Sequence, residues 1–590
     1  MMQNPFRRIS LRAVLSIMLA LFVSVSFIHI PGLTAPFHAS AESAITSDDS
    51  TDTWDPNSAT IITLSGETAT VKGSGANVSG SIVTIEKKGT YVLQGSLKDG
   101  QLLIDAGKKD TIHLVLNGAS ITSLTTAPLY AKKAGKIILT LAPETDNSLM
   151  DAEAYVYSDG ETEPDAALFV KNNLSINGSG SLTVTGQYLH GIVAKDNLVI
   201  ADGDIRVTAN DVGIRGRDSL TVEGGKITVN SQGDALQSNN AEDAKLGWIA
   251  ISGGDFQLTS LKDGIQAETR LTITGGTFHM ATGGAQAGET ISIPQSPVEN
   301  GKGLKAGGDL IISGGTFTVD AMDDAIHANG SVILQAGTYT LATGDDGIHA
   351  DGDATIQSGE ITISESYEGI EAANILIQGG TLNLAASDDG FNAAGGNDGP
   401  SPTGDWRGRG GFEASGNYAV TISGGTVNIN ADGDGIDSNG AIYLEGGELR
   451  IDGPTLNGNA AMDCNGDFEV RGGILVAAGS AGMAQVPGTG STQPSLMIYF
   501  NSNGLAGKTI SLTDASGNEI FSHNLIKDFQ TILISTPELV QGSTYTLSID
   551  GQTQSEIALF QNATVLSSDG SPVTAEQGFP QRPGGHGPRK

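Results

Sequence analysis

The sequence has little of three things, and each shortage narrows what the protein can be. Its 590 residues include one cysteine, Cys464, so no internal disulfide can form. A long chain without disulfides needs a large core, bound metal, or both for stability. Aromatic side chains make up only 5% of the chain, which leaves few rings as candidates for ligand contacts.

Positive charge is the third shortage. The chain has 32 Lys and Arg against 66 Asp and Glu, and its formal net charge is −34. This balance argues against nucleic acid as a partner, because neutralising phosphates requires Lys and Arg. It favours cations, neutral polymers, or acidic polymers that are bridged by cations.

The N-terminus has the pattern of a secretory signal. Arg7, Arg8 and Arg12 precede an apolar run from about Val14 to Ile30, and "ASA" at residues 39–41 is a small-residue cleavage pattern. We predict a signal peptide over residues 1–41, a secreted, extracellular protein and no stable membrane insertion after cleavage. The alternative is an uncleaved anchor helix, and attachment to the cell surface stays open. Removing residues 1–41 takes away three arginines and no acid, so the net charge becomes −37.

What the sequence has in abundance is a glycine-marked repeat. A Gly-Gly or similar pair follows one short apolar run after another, mostly at steps of 21–23 residues. In "LIISGGTFTVDAMDDAIHANG" (residues 310–330), polar and apolar positions alternate with the strand period of two. Glycine, "MDD" and "NG" mark three corners. The sequence therefore predicts an all-β fold, a parallel β-helix with about 22 residues per coil.

The repeat also predicts which side chains point inward. After the acidic corner comes an apolar position, as in Ile326, Ile348 and Ile370, and two residues later comes a small one, as in Ala328 and Ala350. Cys464 occupies the small position of its own repeat, so we interpret it as core filler and not as a nucleophile.

The division of the chain follows from where this pattern holds. We predict a flexible segment at 42–53, an N-terminal cap and first coils at 54–178, and the main β-helix at 179–493. Strand alternation without the Gly-Gly corner predicts a small C-terminal β module at 494–566. The Pro/Gly-rich residues 567–590 are predicted to be disordered.

The acidic corners predict a metal. Carboxylates stacked at the strand spacing of about 4.8 Å repel by several kcal/mol per pair at an effective dielectric of about 20. A Ca²⁺ ion, with Ca–O distances of about 2.3–2.6 Å, spans that step and prefers such oxygen ligands. The predicted ligands are Asp323, Asp324, Asp345, Asp346, Glu368, Glu371, Asp388, Asp389, Asn392, Asp434 and Asp437.

Two alternatives to this interpretation stay open. An acidic face could simply keep the protein soluble, although that predicts scattered acids and not a column. His327 and His349 lie on adjacent repeats and could bind a transition metal, but we interpret them as a surface ladder. Repeats that carry Lys302 and Lys305, or Arg215 and Arg217, depart from the acidic pattern, so they are weaker candidates for calcium.

The corners "(D)DGI-x-A" and "GG-T-[FLV]-x-[LVI]", with the C-terminal "LISTPELVQGSTYTLSIDG", resemble a family of secreted bacterial, calcium-binding, polysaccharide-lyase-like β-helix proteins, known as a carbohydrate-binding domain family. The resemblance covers about residues 54–566. It implies a right-handed β-helix, bound Ca²⁺, and binding to cellulose and acidic plant polysaccharides such as polygalacturonate. It does not establish catalysis.

Three functions compete on this basis. The first is a non-catalytic polysaccharide binder, which we expect to be monomeric. The second is a calcium-dependent, pectate-type lyase, in which Arg or Lys would abstract a proton from a uronate. Its candidate bases are Arg215, Lys305 and Arg270, and none lies within the densest acidic group. The third is a passive surface or adhesion protein.

Exposed aromatic rings discriminate the binder from the passive protein, because sugar faces pack on such rings. Trp406, Trp248 and Tyr367 are the candidates for substrate binding. Trp248 could instead cap the start of a strand, and Trp406 could lie in a disordered insertion.

Overall fold

The computed structural model describes residues 49–50, 52–157, 160–285, 301–394, 418–500 and 505–573. Within these residues the chain forms 47 strands in one sheet and four in a second, and it has no helix. The all-β prediction is therefore confirmed. None of the described segments forms a helix that is long and apolar enough to cross a membrane. The predicted signal peptide (1–41) and residues 574–590 of the predicted tail lie outside the described residues.

Most strands of the large sheet fall into three sets, named here by their place in the repeat. The acidic-corner strands follow the acidic corner, the linking strands come next, and the post-glycine strands follow the Gly-Gly pair. Each strand pairs in parallel with the next member of its set, about one repeat further along the chain. Thr111–Thr122, Ile348–Ile356 and Ile370–Ile377 are long enough to serve two sets.

The acidic-corner strands are Ile82–Ile85, Gln101–Asp105, Leu129–Lys133, Ala166–Val170, His190–Ala194, Ile214–Gly216, Leu236–Ser238, Ile265–Ala267, Leu304–Ala306, Ile326–Ala328, Ile348–Ile356, Ile370–Ile377, Phe391–Ala393, Ile436–Ser438 and Met462–Cys464. The linking strands are Thr60–Gly66, Gly89–Leu97, Thr111–Thr122, Lys136–Leu141, Asn173–Asn177, Asn197–Ile200, Ser219–Val222, Trp248–Ile251, Leu271–Ile273, Leu310–Ile312, Val332–Leu334, Ala419–Ile422, Ala441–Leu444 and Phe468–Val470, together with the two long strands from Ile348 and Ile370.

The post-glycine strands begin within Thr111–Thr122 and continue as Asp146–Met150, Ser181–Gly186, Asp204–Ala209, Lys226–Ser231, Asp255–Ser260, Thr277–Thr282, Thr316–Ala321, Thr338–Thr343, Glu360–Glu365, Thr381–Ala386, Thr426–Ala431, Glu448–Asp452 and Ile474–Gly479. Thr68–Lys72 and Ala76–Ser79 form antiparallel pairs near the N-terminus.

The C-terminal strands depart from this pattern. Thr531–Ser535 pairs antiparallel with both Ile474–Gly479 and Ser495–Tyr499, and Ser495–Tyr499 also pairs with Ala563–Ser567. The second sheet consists of Thr509–Thr513, Glu519–Asn524, Thr544–Ile549 and Gln552–Ala558, all antiparallel.

The core follows the predicted inward positions. Ile326 pairs with Ile348 and Ile348 with Ile370, and all three side chains are fully buried, as are Ala328 and Ala350. Cys464 is also buried and lies in the row of small residues, as predicted. Because the same position recurs in every repeat, side chains of similar character stack in rows. Aliphatic and small side chains therefore line much of the interior in rows.

An aromatic row shows the spacing between repeats. The rings of Phe256, Phe278, Phe317 and Tyr339 are parallel to within 7°, with centroids 4.5, 4.7 and 5.0 Å apart. These distances match the spacing of neighbouring strands, so the side chains stack directly above one another.

Glycine occupies the corner before most post-glycine strands, whereas Glu144 takes a positive φ of 58° before Asp146–Met150. Gly425 has a φ of 84°, a conformation that other residues rarely adopt, and a Cβ there would lie 2.8 Å from the backbone of Gly379. The corner thus needs glycine for both its backbone angle and its close packing.

Candidate metal centre

The outward side chains of the acidic-corner strands form one continuous row. Register pairing places them in the order Lys305, His327, His349, Glu371, Asn392, Asp437 and Asp463. Along this row the side chains change from basic to acidic. The corner residues just before each strand form a second row beside it, so acids from neighbouring repeats meet.

The corner carboxylates have a structural task that the sequence did not reveal. In several of them, one oxygen accepts a hydrogen bond from a backbone N–H of the next corner. Asp324 Oδ1 accepts from Asp346 at 3.0 Å, and Asp389 Oδ1 accepts from Asp434 at 2.6 Å. Asp234 makes the same contact with the Asp263 N–H at 3.1 Å. One oxygen therefore closes the corner, and the other is left for a cation or a donor on the outer face.

The first acidic group, called here the histidine cluster, comprises Lys302, Asp323, Asp324, His327, Asp346, His349 and Glu371. It contains its own cation. Lys302 Nζ donates to Asp323 Oδ1 at 2.7 Å and to Asp324 Oδ2 at 2.8 Å, and all three side chains are buried. Burial alone would raise the pKa of Asp324. The charge of Lys302 and the hydrogen bond from His327 lower it by more than burial raises it, so the net pKa falls below its usual value.

The sequence analysis assigned the charge of Lys302 to the wrong repeat. It treated this lysine as evidence against calcium on its own repeat, whereas the ammonium group lies against the acids of the next repeat. The sequence spacing could have revealed this contact. Lys302 stands 22 residues, or one repeat, before Asp324 and therefore directly precedes it in the same corner row.

The interpretation of the two histidines as a surface ladder is wrong. They do stack, with centroids 4.8 Å apart and rings inclined by 9°, but His327 is 7% exposed and His349 is completely buried. Nδ1 of His327 lies 2.8 Å from Asp324 Oδ2. The rings are thus part of an internal ionic network.

His349 lies between two carboxylates. Its Nδ1 is 3.0 Å from Asp346 Oδ2 and 3.3 Å from Glu371 Oε2. Burial opposes a charge on the ring, but the hydrogen bonds to Asp346 and Glu371 outweigh it and raise the pKa of His349 to about 12. The two carboxylates therefore favour the charged form of His349, while burial raises the pKa of Asp346.

The second acidic group, called here the aspartate cluster, consists of Asp389, Asp434 and Asp437. One carboxylate oxygen of each lies within 4.8 Å of the others. Within the described residues, no Lys, Arg or His forms an ion pair with any of the three. The positive charge that the histidine cluster supplies internally is missing here.

Burial and repulsion raise the pKa values of these three acids. Burial, with repulsion from Asp434 and Asp388, raises the pKa of Asp389 to about 8. Burial also raises the pKa of Asp434 to about 7 and that of Asp437 to about 6, and neighbouring aspartates add to both shifts. Raised pKa values mean that ionisation is costly until a cation enters.

Asn392 lies next to this group on the neighbouring strand. It follows Asp389 at the outward position and pairs in register with Asp437. Its Nδ2 donates to Glu368 Oε2 at 2.9 Å, while its Oδ1 is buried and accepts no hydrogen bond from the described residues. The donor set of three carboxylates and one amide oxygen suits a hard cation such as Ca²⁺.

The remaining predicted ligands are distributed around the two clusters. Asp345 lies with Asp323 and Asp324 in a group whose oxygens fall within 4.8 Å. Asp388 is partly exposed beside Asp389, and Glu368 is buried between the clusters. The structure thus brings the predicted ligands together in two sets of different charge balance.

The candidate lyase bases have other partners. Arg215 Nη2 lies 3.5 Å from Asp165 Oδ2, and Lys305 Nζ lies 3.3 Å from Asp263 Oδ2. Arg270 is partly exposed and directly precedes the linking strand Leu271–Ile273.

Of the predicted aromatic contacts, Trp406 lies outside the described residues. Trp248 is half-buried and begins the linking strand Trp248–Ile251, and Tyr367 is half-buried in the corner between Asp345 and Asp388. The sequence analysis missed a ring cluster in which Tyr155 stacks on Tyr188 with centroids 4.4 Å apart. These two residues are 33 positions apart, so only the fold brings them together.

Comparisons with known proteins support the carbohydrate-binding family to which the sequence is similar. The family model described as carbohydrate-binding domain-containing protein matches residues 79–347, which include the Asp323–Asp346 corners but not the aspartate cluster. A protein of that description from Acetivibrio thermocellus is 35% identical over 211 residues, which are 36% of this chain and 74% of the relative.

A solved structure of a polysaccharide lyase-like protein from C. thermocellum, a gadolinium derivative, is 32% identical. It covers 38% of this chain and 92% of its own, with a TM-score of 0.38. On the match to the Acetivibrio relative, the chain belongs to the family of carbohydrate-binding domain-containing proteins.

Proposed function

We propose that the protein is an extracellular, monomeric, non-catalytic polysaccharide binder that holds Ca²⁺ at the aspartate cluster. We infer that the bound ion bridges the acidic protein to acidic polymers such as polygalacturonate, and that neutral cellulose binds separately. The observation that carries this proposal is the contrast in charge between two clusters built on the same corner.

We also infer that the three strand sets wind as successive coils of a right-handed parallel β-helix. The parallel pairing of each strand with the next member of its set supports this, because consecutive coils pair in that way. Such a fold presents the same corner at regular steps. Weak contacts with successive sugar units of one polymer would then add together.

The residues that would hold the ion are Asp389, Asp434, Asp437 and Asn392. Their oxygens are hard ligands, and the buried Asn392 Oδ1 still lacks a partner within the described residues. When bound, Ca²⁺ supplies the positive charge that a uronate carboxylate needs for contact. The partly exposed Asp388 lies next to this group at the surface, where a polymer can approach.

Two observations favour a binder over a lyase. Arg215 and Lys305 pair with Asp165 and Asp263, which belong to other repeats than the aspartate cluster. The described residues of the aspartate cluster also contain no basic group near the proposed ion. We therefore expect no unsaturated product from polygalacturonate.

Retention on immobilised polygalacturonate, with Ca²⁺ and with excess chelator, tests this function. We expect retention to require Ca²⁺ and to weaken with salt, because the contact is ionic. The double substitution Asp389→Asn and Asp434→Asn should abolish it. Asp234→Asn, a corner acid with the same backbone hydrogen bond, should leave it unchanged.

Equal retention with and without chelator would exclude the bridging mechanism. A sustained rise in ultraviolet absorbance at alkaline pH with Ca²⁺, lost on changing Arg215 or Lys305, would establish the lyase instead.

A further inference from the structure

A groove of about 260 Å³ is lined by none of the residues of the two acidic clusters. Its floor is the outer side of the post-glycine strands Glu360–Glu365, Thr381–Ala386 and Thr426–Ala431. Its wall includes Ile526, from the segment between Glu519–Asn524 and Thr531–Ser535. The groove is thus formed where this C-terminal segment passes over the repeats.

The wall is held in place by polar contacts. Lys527 Nζ donates to the Ala431 carbonyl and to Asp432 Oδ1, both at 2.7 Å. The Ile526 N–H donates to Asp452 Oδ1 at 3.3 Å. Because contacts anchor this segment to two neighbouring repeats, the groove is formed before any ligand arrives, which lowers the entropic cost of binding.

The floor carries amides with unused hydrogen-bonding capacity. Asn428 Nδ2 donates to Asn383 Oδ1 at 2.8 Å, which leaves the Asn383 amide N–H groups and the Asn428 carbonyl oxygen for a ligand. Asn430 Oδ1 is buried and accepts no hydrogen bond from the described residues. An acceptor buried in this way is costly unless a donor reaches it, so the groove is suited to a ligand with hydroxyl groups.

The rest of the lining limits the charge of that ligand. No Lys or Arg lines the groove, and Asp452 adds an acidic group. Ile526, 56% exposed, and Ala385, which pairs in register with Asn430, offer apolar surface beside the amides. A neutral sugar ring has both features needed here, since its hydroxyls hydrogen-bond to amides and its C–H face packs on aliphatic groups.

We propose that this groove binds a neutral hexose residue of a polysaccharide chain. Its volume is slightly below the range of about 300–1,000 Å³ that is usual for small-molecule sites, so it suits one unit of a polymer whose neighbours extend outward. The proposal rests on the proposed carbohydrate-binding function and adds a second site, independent of calcium, for neutral polymers. All the groove residues lie beyond 347, outside the segment that the family model matches.

The test is calorimetric titration of the full chain with cellohexaose and mannohexaose, beside retention on polygalacturonate with Ca²⁺. Asn383→Ala with Asn428→Ala removes the amides, and Ile526→Ser removes the apolar wall. Gln257→Ala is the matched control, because Gln257 is exposed at the same position several repeats earlier. Melting temperatures verify that all variants fold.

We expect both groove variants to bind the neutral hexasaccharide at least about tenfold more weakly, with polygalacturonate retention unchanged. The Gln257→Ala variant should match the unmodified protein in both assays. Neutral binding that survives both groove substitutions would overturn the groove as the site. Binding of the unmodified protein to polygalacturonate alone would overturn this proposal and leave the calcium-bridged function standing. Binding to neither polymer would overturn both.

Discussion

The histidine cluster and the aspartate cluster are built on nearly the same sequence, yet they differ in the charges that surround their carboxylates. "DDGI" at Asp345–Ile348 and "DDGF" at Asp388–Phe391 turn the same corner two repeats apart. In the first, His349 of the same repeat pairs with Asp346, and Lys302 and His327 pair with Asp324 of the preceding corner. The second meets Asp434 and Asp437 instead.

The comparison shows that a corner's chemistry is decided by the residues stacked on it and not by its own sequence. A buried acid with an internal cation is complete, whereas acids that meet only other acids need protons or an external ion. The same backbone can therefore carry an internally neutralised network at one repeat and a cluster of acids without a cation partner, among the described residues, at another.

The largest effect should come from removing the internal cation. Lys302→Met leaves Asp323 and Asp324 buried without their partner, which typically costs about 3–5 kcal/mol. We expect a large drop in the thermal unfolding temperature, partly restored by Ca²⁺ because the cluster then resembles the aspartate cluster. Lys262→Met, at an exposed lysine on the preceding repeat, is the control and should change little. Equal drops in the unfolding temperature of the two variants, or no new response of Lys302→Met to Ca²⁺, would contradict the role of Lys302 as the internal cation.

Calcium itself should have the next largest effect. An ion that binds only the folded state adds about 2.7 kcal/mol when its concentration is one hundred times Kd. Chelation should therefore lower the melting temperature by several degrees. Asp389→Asn with Asp434→Asn should remove this response while keeping the backbone hydrogen bonds, because the amide oxygen can still accept. Asp234→Asn should retain the full response, and a melting curve that chelator leaves unchanged in the native protein would exclude the site.

The pH dependence of stability should expose the aspartate cluster when the ion is removed. The pKa values of about 6, 7 and 8 for Asp437, Asp434 and Asp389 lie above the ordinary carboxyl value of 3.8. The folded chain therefore binds more protons than the unfolded chain between about pH 4 and 8. Its stability must fall as pH rises through that window, by at most about 1.4 kcal/mol per unit for each group.

Thermal unfolding in chelator from pH 5 to 8 measures this slope. We expect Ca²⁺ to flatten it and the gain from Ca²⁺ to grow with pH, because the ligands must lose their protons to bind metal. Asp389→Asn should reduce the slope in chelator. A slope that this substitution leaves unaltered would place the titrating groups elsewhere.

The smallest effect is expected at the exposed edge of the histidine cluster. Asp351 Oδ1 lies 3.3 Å from His349 Nε2, but the Asp351 side chain is 43% exposed. Exposed ion pairs contribute about 0–1 kcal/mol, so Asp351→Asn should lower the melting temperature only slightly. Glu371→Gln, on the buried side of the same ring, should cost clearly more. The reverse order would mean that the buried carboxylates do not hold the charge of His349.

Much of the fold was predictable because the repeat converts sequence positions into spatial rows. Ile326, Ile348 and Ile370 recur at the repeat period and pair in that register, since a parallel strand set keeps equivalent residues adjacent. The same rule brought Asp389, Asp434 and Asp437 together. It also contained the signal for Lys302, whose ammonium acts on the repeat that follows its own.

The sequence by itself determined the all-β class, the inward rows and the crowding of acids at the corners, because these depend on a short period repeated along one chain. Only the tertiary structure decided which acids have a cation, that His349 is buried and charged, and that Ile526 and Asn428 line one groove. Burial and long-range contacts control these outcomes. The pKa of a carboxyl and the shape of a groove depend on side chains that are tens of residues away in sequence, and no local pattern records them.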